Sequence, residues 1–148
     1  MSKRISQIII TLLVLFVLVA CGSKKVISTD KAPKAIGPYN QAIVYDDVIY
    51  CSGQIAIDPE TNEFIGGDIV AQTNQVFKNI IGLLDACGSD ISKVLKCNVY
   101  LKNISDFNTV NEIYASYFEG TDYPARSAVE VSNLPKDALI EIEVIASK

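Results

Sequence analysis

The sequence predicts an α+β domain in which two helices cover one face of a sheet. Two β-prone runs flank an Asp-Asp turn, two longer stretches repeat apolar residues at helical spacing, and further runs alternate apolar with polar residues. The implied order is β-β-α-β-α-β-β. A chain of 148 residues suffices for one core, and it has neither internal repeats nor a low-complexity stretch, so the domain reads as one unit.

The first hairpin is read from 41–45 and 48–52, split by Asp46-Asp47. Asp58-Pro59-Glu60-Thr61-Asn62 and Gly66-Gly67 mark two more turns. Asp68 is placed as the N-cap of the first helix. Ile69, Thr73, Val76, Ile80, Leu83 and Cys87 follow at helical spacing, and Gly88 supplies the stop. Leu95, Cys97, Val99 and Leu101 alternate with Lys96, Asn98, Tyr100 and Lys102, which predicts a half-buried strand with the first set inward. Ser105 or Asp106 caps the second helix, which carries Phe107, Val110, Ile113, Tyr114 and Tyr117. The last two strands are 125–131 and 139–146. In the final one Ile140, Ile142 and Val144 face one way, and Leu139, Glu141, Glu143 and Ile145 the other. Several strands are apolar on both faces, so the face without helices calls for burial against another subunit.

Composition narrows the chemistry. The chain contains no His, which removes Ser-His-Asp and Cys-His nucleophiles and nearly all zinc or non-haem iron sites. Any acid or base must be a carboxylate, Tyr, Lys or Cys. The formal net charge is −4; without Lys3 and Arg4 of the leader, 11 basic residues face 17 acidic ones, a net of −6. An acidic domain without a basic cluster does not suit nucleic-acid binding, where phosphate neutralisation supplies most of the affinity.

Residues 1–20 read as a lipoprotein signal peptide. Lys3 and Arg4 form its positive region, and 8–20 is an apolar run broken only by Thr11. That run is shorter than the roughly 20 residues of a comfortable bilayer span. It ends in Leu18-Val19-Ala20-Cys21-Gly22, which resembles the bacterial lipobox, in which the Cys becomes the acylated N-terminal residue. The expectation is lipidation at Cys21, with the mature protein tethered by acyl chains to a membrane on its extracytoplasmic side. An uncleaved anchor and an ordinary secretory signal are the alternatives. Residues 21–30 would hold the acylated Cys and either a short spacer or a first strand, and 31–148 the main domain. Cys51, Cys87 and Cys97 match no metal-site spacing and read as small buried hydrophobes.

Past the leader, Arg126 is the chain's single arginine, set in the apolar run Pro124-Ala125-Arg126-Ser127-Ala128-Val129. A planar guanidinium holds a carboxylate through two parallel hydrogen bonds, which an ammonium does not. A structural ion pair or an incidental surface arginine is the plainer reading. Glu141 and Glu143 share one face of the last strand. If that strand neighbours the one carrying Arg126, guanidinium and carboxylate share a cleft; otherwise the two glutamates are a solvated strand edge.

Four segments, in order and with fitting spacing, resemble the RidA/YjgF family of reactive-intermediate deaminases. They are Ala35-Ile36-Gly37-Pro38-Tyr39, Tyr50-Cys51-Ser52-Gly53-Gln54, Asp106-Phe107 through Val110-Asn111, and Pro124-Ala125-Arg126-Ser127 through Ile140-Glu141-Ile142-Glu143. The resemblance implies a chorismate-mutase-like mixed sheet, a homotrimer with sites between subunits, and no cofactor or metal. It implies hydrolysis of 2-enamino or 2-imino acids, such as 2-aminoacrylate, 2-iminopropanoate and 2-iminobutanoate, to 2-oxo acids and ammonia. Carried across by position, Arg126 would clamp the substrate carboxylate and Glu141 would activate water. Tyr39 and Asn111 would line the pocket, the Ala128 backbone amide would add a hydrogen bond, and Gly53 would let backbone approach the ligand. Many members carry Cys where this chain has Ala128, so a thiol mechanism at that position is excluded. Imines of this kind arise chiefly in the cytoplasm and decay quickly in water. An exported member therefore raises an alternative, a lipid-anchored binding module for a small carboxylate ligand without turnover.

Overall fold

The structure, a computed structural model, describes residues 22–148; the expected signal peptide 1–20 and the expected lipidation site Cys21 lie outside the described residues. Six strands and two helices follow in the order β1 (Lys24–Ile27), β2 (Ala42–Tyr45), β3 (Val48–Cys51), α1 (Ile69–Ala86), β4 (Val94–Leu101), α2 (Phe107–Tyr117), β5 (Ala125–Glu130) and β6 (Ile140–Ser147). The open alternative over 21–30 resolves in favour of a strand. Lys24–Ile27 extends the first hairpin by pairing antiparallel with β2.

The sheet order is β1-β2-β3-β6-β4-β5, antiparallel throughout except for the parallel pair β4–β5. This is the mixed α+β sheet expected. Parallel neighbours need a crossover, and α2 supplies it between β4 and β5. At the hairpin, Asp46 adopts a left-handed φ of 53°, a conformation its short polar side chain tolerates.

Both helices pack on one sheet face. The Asp68 carboxylate accepts from the Ala71 amide at 2.8 Å, and Gly88, at φ 77°, closes α1 at its other end. Val76, Ile80 and Leu83 of α1 meet Ile49, Cys97, Ile142 and Val144 of the sheet in one core. Phe77 stacks on Tyr117 at 4.4 Å and meets Tyr114 and Phe118 edge-on, which locks the helices together. Polar side chains on α1 anchor the loops: Asn79 donates to the Ile55 and Ile57 carbonyls, and Gln72 accepts from the Leu139 amide.

On the opposite face a smaller core of Ile55, Ile57, Leu134 and Ala138 folds against Tyr100. It covers only the end of the sheet where β6 begins. The rest of that face leaves Val26, Tyr45, Tyr50 and Val129 exposed, the apolar surface expected to need a second subunit. Among the described residues no helix is long and apolar enough to cross a membrane.

Two local expectations are corrected. Leu95 is not inward: it is 52% exposed, because a bulge between Val94 and Lys96 breaks the alternation and puts Val94 in the core. Asp106 precedes α2 but makes no side-chain cap. A 3-10 turn, Ile104–Asp106, runs straight into the helix, so Asp106 already has near-helical torsions.

Candidate functional site

Alternation along β6 buries Ile140, Ile142 and Val144 against the helices and turns Glu141 and Glu143 to the other face. The end of that face is walled by the segment after β3. Gln54 exchanges backbone hydrogen bonds with Ile142, donating at 2.9 Å and accepting at 3.1 Å, which brings Gly53 against Glu141. The result is a cavity of about 370 Å³ with Glu141 and Glu143 on the sheet side and Tyr39, Gly53, Ile36 and Ile57 among its walls. Buried Gln41 holds the loop that carries Tyr39: its amide donates to the Thr29, Ala32 and Pro33 carbonyls and accepts from the Thr29 amide. The Tyr39 hydroxyl accepts from the Ile36 amide at 3.2 Å.

The two glutamates differ. Asn98 on β4 donates to Glu143 Oε1 at 2.7 Å, so Glu143 is tied down. Glu141 lacks such a donor among the described residues, and burial, then the neighbouring Glu143, push its pKa above the ordinary 4.5. A partly desolvated carboxylate beside a like charge is a competent proton acceptor.

Gly53 lines the cavity and also meets Glu141 directly. A Cβ there would lie 2.0 Å from Glu141 Oε1, so the glycine makes room for the carboxylate.

Arg126 is elsewhere. The condition for a shared cleft, that the strands of Arg126 and Glu141 be neighbours, is not met within one chain, because β4 lies between β5 and β6. Arg126 aligns with Cys97 and Val144, and Glu141 with Tyr100 and Val129. Two strand spacings and three residues separate their Cα atoms by about 14 Å. The odd offset also places the side chains on opposite faces of the sheet. Arg126 is half-buried on the helix side. There its guanidinium lies over the Tyr114 ring at 4.5 Å and the Phe107 ring at 5.6 Å. Phe107, Asn111 and Tyr114 follow at helical spacing along one side of α2. With Tyr123 and Pro124, Asn111, Tyr114 and Arg126 line a second cavity of about 440 Å³. Among the described residues the guanidinium has neither an ion-pair nor a hydrogen-bond partner.

Ala128 presents its side chain to the helix-side core. Its amide lies on the free edge of β5: the Val131 amide donates inward to the Leu101 carbonyl, and the odd spacing turns the Ala128 N–H the other way.

The predicted residues thus divide into two groups, Tyr39, Gly53 and Glu141 in one cavity, Arg126 and Asn111 in the other, with Ala128 on the strand edge next to Arg126. Residues that sequence reasoning missed include Asn98, Gln41, Ile57 and the two rings under Arg126. Phe107 and Tyr114 were legible only as apolar helix positions, and Asn98 only as an outward polar residue.

The thiols supply no nucleophile to this chemistry. Cys51 and Cys97 are buried and Cys87 half-buried, all free. Burial pushes Cys51 up to about 12 and raises Cys87 and Cys97, so none is a ready nucleophile. Among the described residues no three His, Cys, Asp or Glu side chains converge as a metal-ligand set.

Residues 29–148 match the family model described as endoribonuclease L-PSP. A RutC family protein of Pyrococcus abyssi is 54% identical over 126 residues, covering 85% of this chain and 98% of that one. The human 2-iminobutanoate/2-iminopropanoate deaminase is 49% identical over 123 residues, covering 83% and 89%. A Rid-family crystal structure from Yersinia pestis superposes with a TM-score of 0.83 at 52% identity, covering 85% of this chain and all of that one. With the family model matching most of the chain and relatives about half identical over nearly their whole length, the chain belongs to the Rid family, the group whose model is described as endoribonuclease L-PSP.

Proposed function

We propose that the protein is a cofactor-independent deaminase that hydrolyses 2-imino acids, and 2-enamino acids after tautomerisation, to 2-oxo acids and ammonia. The observation that carries this reading is the Arg126 guanidinium, without an ion-pair partner among the described residues and lining a cavity, a receptor for a small carboxylate. Glu141 supplies the second requirement, a carboxylate whose raised pKa suits it to take a proton from water. Water adds to the protonated imine carbon as its proton passes to Glu141. The resulting aminol expels ammonia and leaves the 2-oxo acid. A protonated imine is already electrophilic, so positioning and one base suffice.

One chain cannot bring one small substrate to both groups, since they sit on opposite faces. We infer that the sites form between copies, with Arg126, Asn111 and the β5 edge of one meeting the Glu141 cavity of the next. Such a contact joins unlike patches and closes as a ring, here a homotrimer that also covers the exposed apolar face. Ribonuclease activity is disfavoured by the net charge of −6 after the leader and by the absence of His.

The lipid anchor at Cys21 is part of the same proposal. Gly22 packs against Tyr45 and Asp46, and β1 begins at Lys24, so a tether at Cys21 would hold that end of the sheet close to the membrane. Glu141 lies near the other end of the same strand direction.

The test generates 2-iminobutanoate with an amino-acid oxidase and follows its decay with the purified protein. Decay no faster than in buffer would reject the enzyme in favour of a carboxylate-binding module without turnover.

A further inference from the structure

We propose that Phe107 and Tyr114 are positioning residues: the two α2 rings hold the Arg126 guanidinium by its face and leave its N–H fork free to meet the substrate carboxylate. The inference rests on Arg126 being that clamp. A long arginine side chain on a sheet edge has many rotamers, and here no carboxylate or carbonyl among the described residues fixes it. What does hold it is aromatic: 4.5 Å to the Tyr114 centroid and 5.6 Å to that of Phe107, both within cation–π range. Contacts of this kind use the ring quadrupole and consume none of the five N–H donors. An ion pair would fix the side chain equally well but would occupy the donors the substrate needs.

The Tyr114 ring is itself immobile. It is 3% exposed, meets Phe77 edge-on at 5.7 Å and tilts on Phe118 at 4.7 Å. Among the described residues its hydroxyl makes no well-formed hydrogen bond and has only the weakly polar Cys97 thiol beside it. The ring rather than the hydroxyl is therefore the working part. Phe107 lies at the first turn of α2, half-buried, and adds the second, more distant ring contact. Preorganisation of this sort lowers the ordering cost of binding and so acts on affinity for the carboxylate.

The experiment measures KM, kcat and Tm for 2-iminobutanoate with Phe107→Leu, Tyr114→Leu, Tyr114→Phe and Arg126→Ala in the full chain. Loss of either ring is expected to raise KM about fivefold to tenfold with kcat within about twofold. Tyr114→Leu also lowers Tm because it empties a core position, whereas Tyr114→Phe restores both Tm and KM. Unchanged KM in Phe107→Leu and Tyr114→Leu, or a fall confined to kcat, overturns the positioning role. Arg126→Ala separates the two levels. If it keeps the wild-type KM, the clamp itself is wrong; if it alone raises KM, only the role of the rings is.

Discussion

Gly53 and Glu141 are in such close contact that a β-carbon on residue 53 would fall 2.0 Å from the carboxylate oxygen. The pairing follows from the two backbone hydrogen bonds between Gln54 and Ile142, each one residue further along its chain segment. Glycine is needed here for space, not for an unusual torsion.

Gly53→Ala is expected to displace the Glu141 carboxylate, since the Gln54–Ile142 bridge holds the backbone. The overpacking costs about 1–3 kcal/mol of stability. kcat should fall by about tenfold or more, because a base moved by a fraction of an ångström loses its alignment. Thermal unfolding and steady-state kinetics on the same preparation check both; a variant with full kcat would show that Glu141 is not the base.

The acid limb of kcat/KM should lie above the ordinary Glu value of 4.5, since burial and Glu143 raise Glu141. Glu143→Gln removes one of those causes and should move the limb down in pH. The stability sign follows. A carboxylate whose pKa is raised on folding favours the protonated fold, so its contribution is full below the unfolded value and is lost as pH rises through the folded one. Glu141→Gln should therefore raise Tm at neutral pH and change it little below the carboxylate range. Melting curves across pH decide.

Arg126→Ala and Glu141→Gln should each be strongly impaired alone yet recover activity when mixed under conditions of subunit exchange. Random mixing gives about a quarter of the sites both native groups if each site takes Arg126 from one copy and Glu141 from the next. No recovery, with exchange demonstrated by mass spectrometry, would mean that one chain holds the whole site.

Cys21→Ala should release the protein from the membrane fraction into the soluble fraction. Retention of the variant in membranes would argue for an uncleaved anchor over acylation. Fractionation with metabolic acyl labelling makes the distinction.

Much of the local structure was legible. Asp68 and Gly88 bound α1 where their capping chemistry places them. The alternation of β6, with Glu141 and Glu143 together on one face, follows from the period of two. Leu95 was misjudged because a bulge inserts one residue without changing composition. The Asp106 cap was misjudged because a 3-10 turn leads into α2.

The sequence by itself determined the two helices, five of the six strands, the buried side of β6, the absence of histidine chemistry and Arg126 as the one arginine after residue 4, all properties of local residue type and spacing. Only the tertiary structure decided that β4 inserts between β5 and β6. Strand pairing is non-local, set by which apolar faces and crossovers close the core together, and no periodicity along one strand encodes its neighbour. That single choice of order puts Arg126 among aromatic rings on one face of the sheet and Glu141 beside Gly53 on the other.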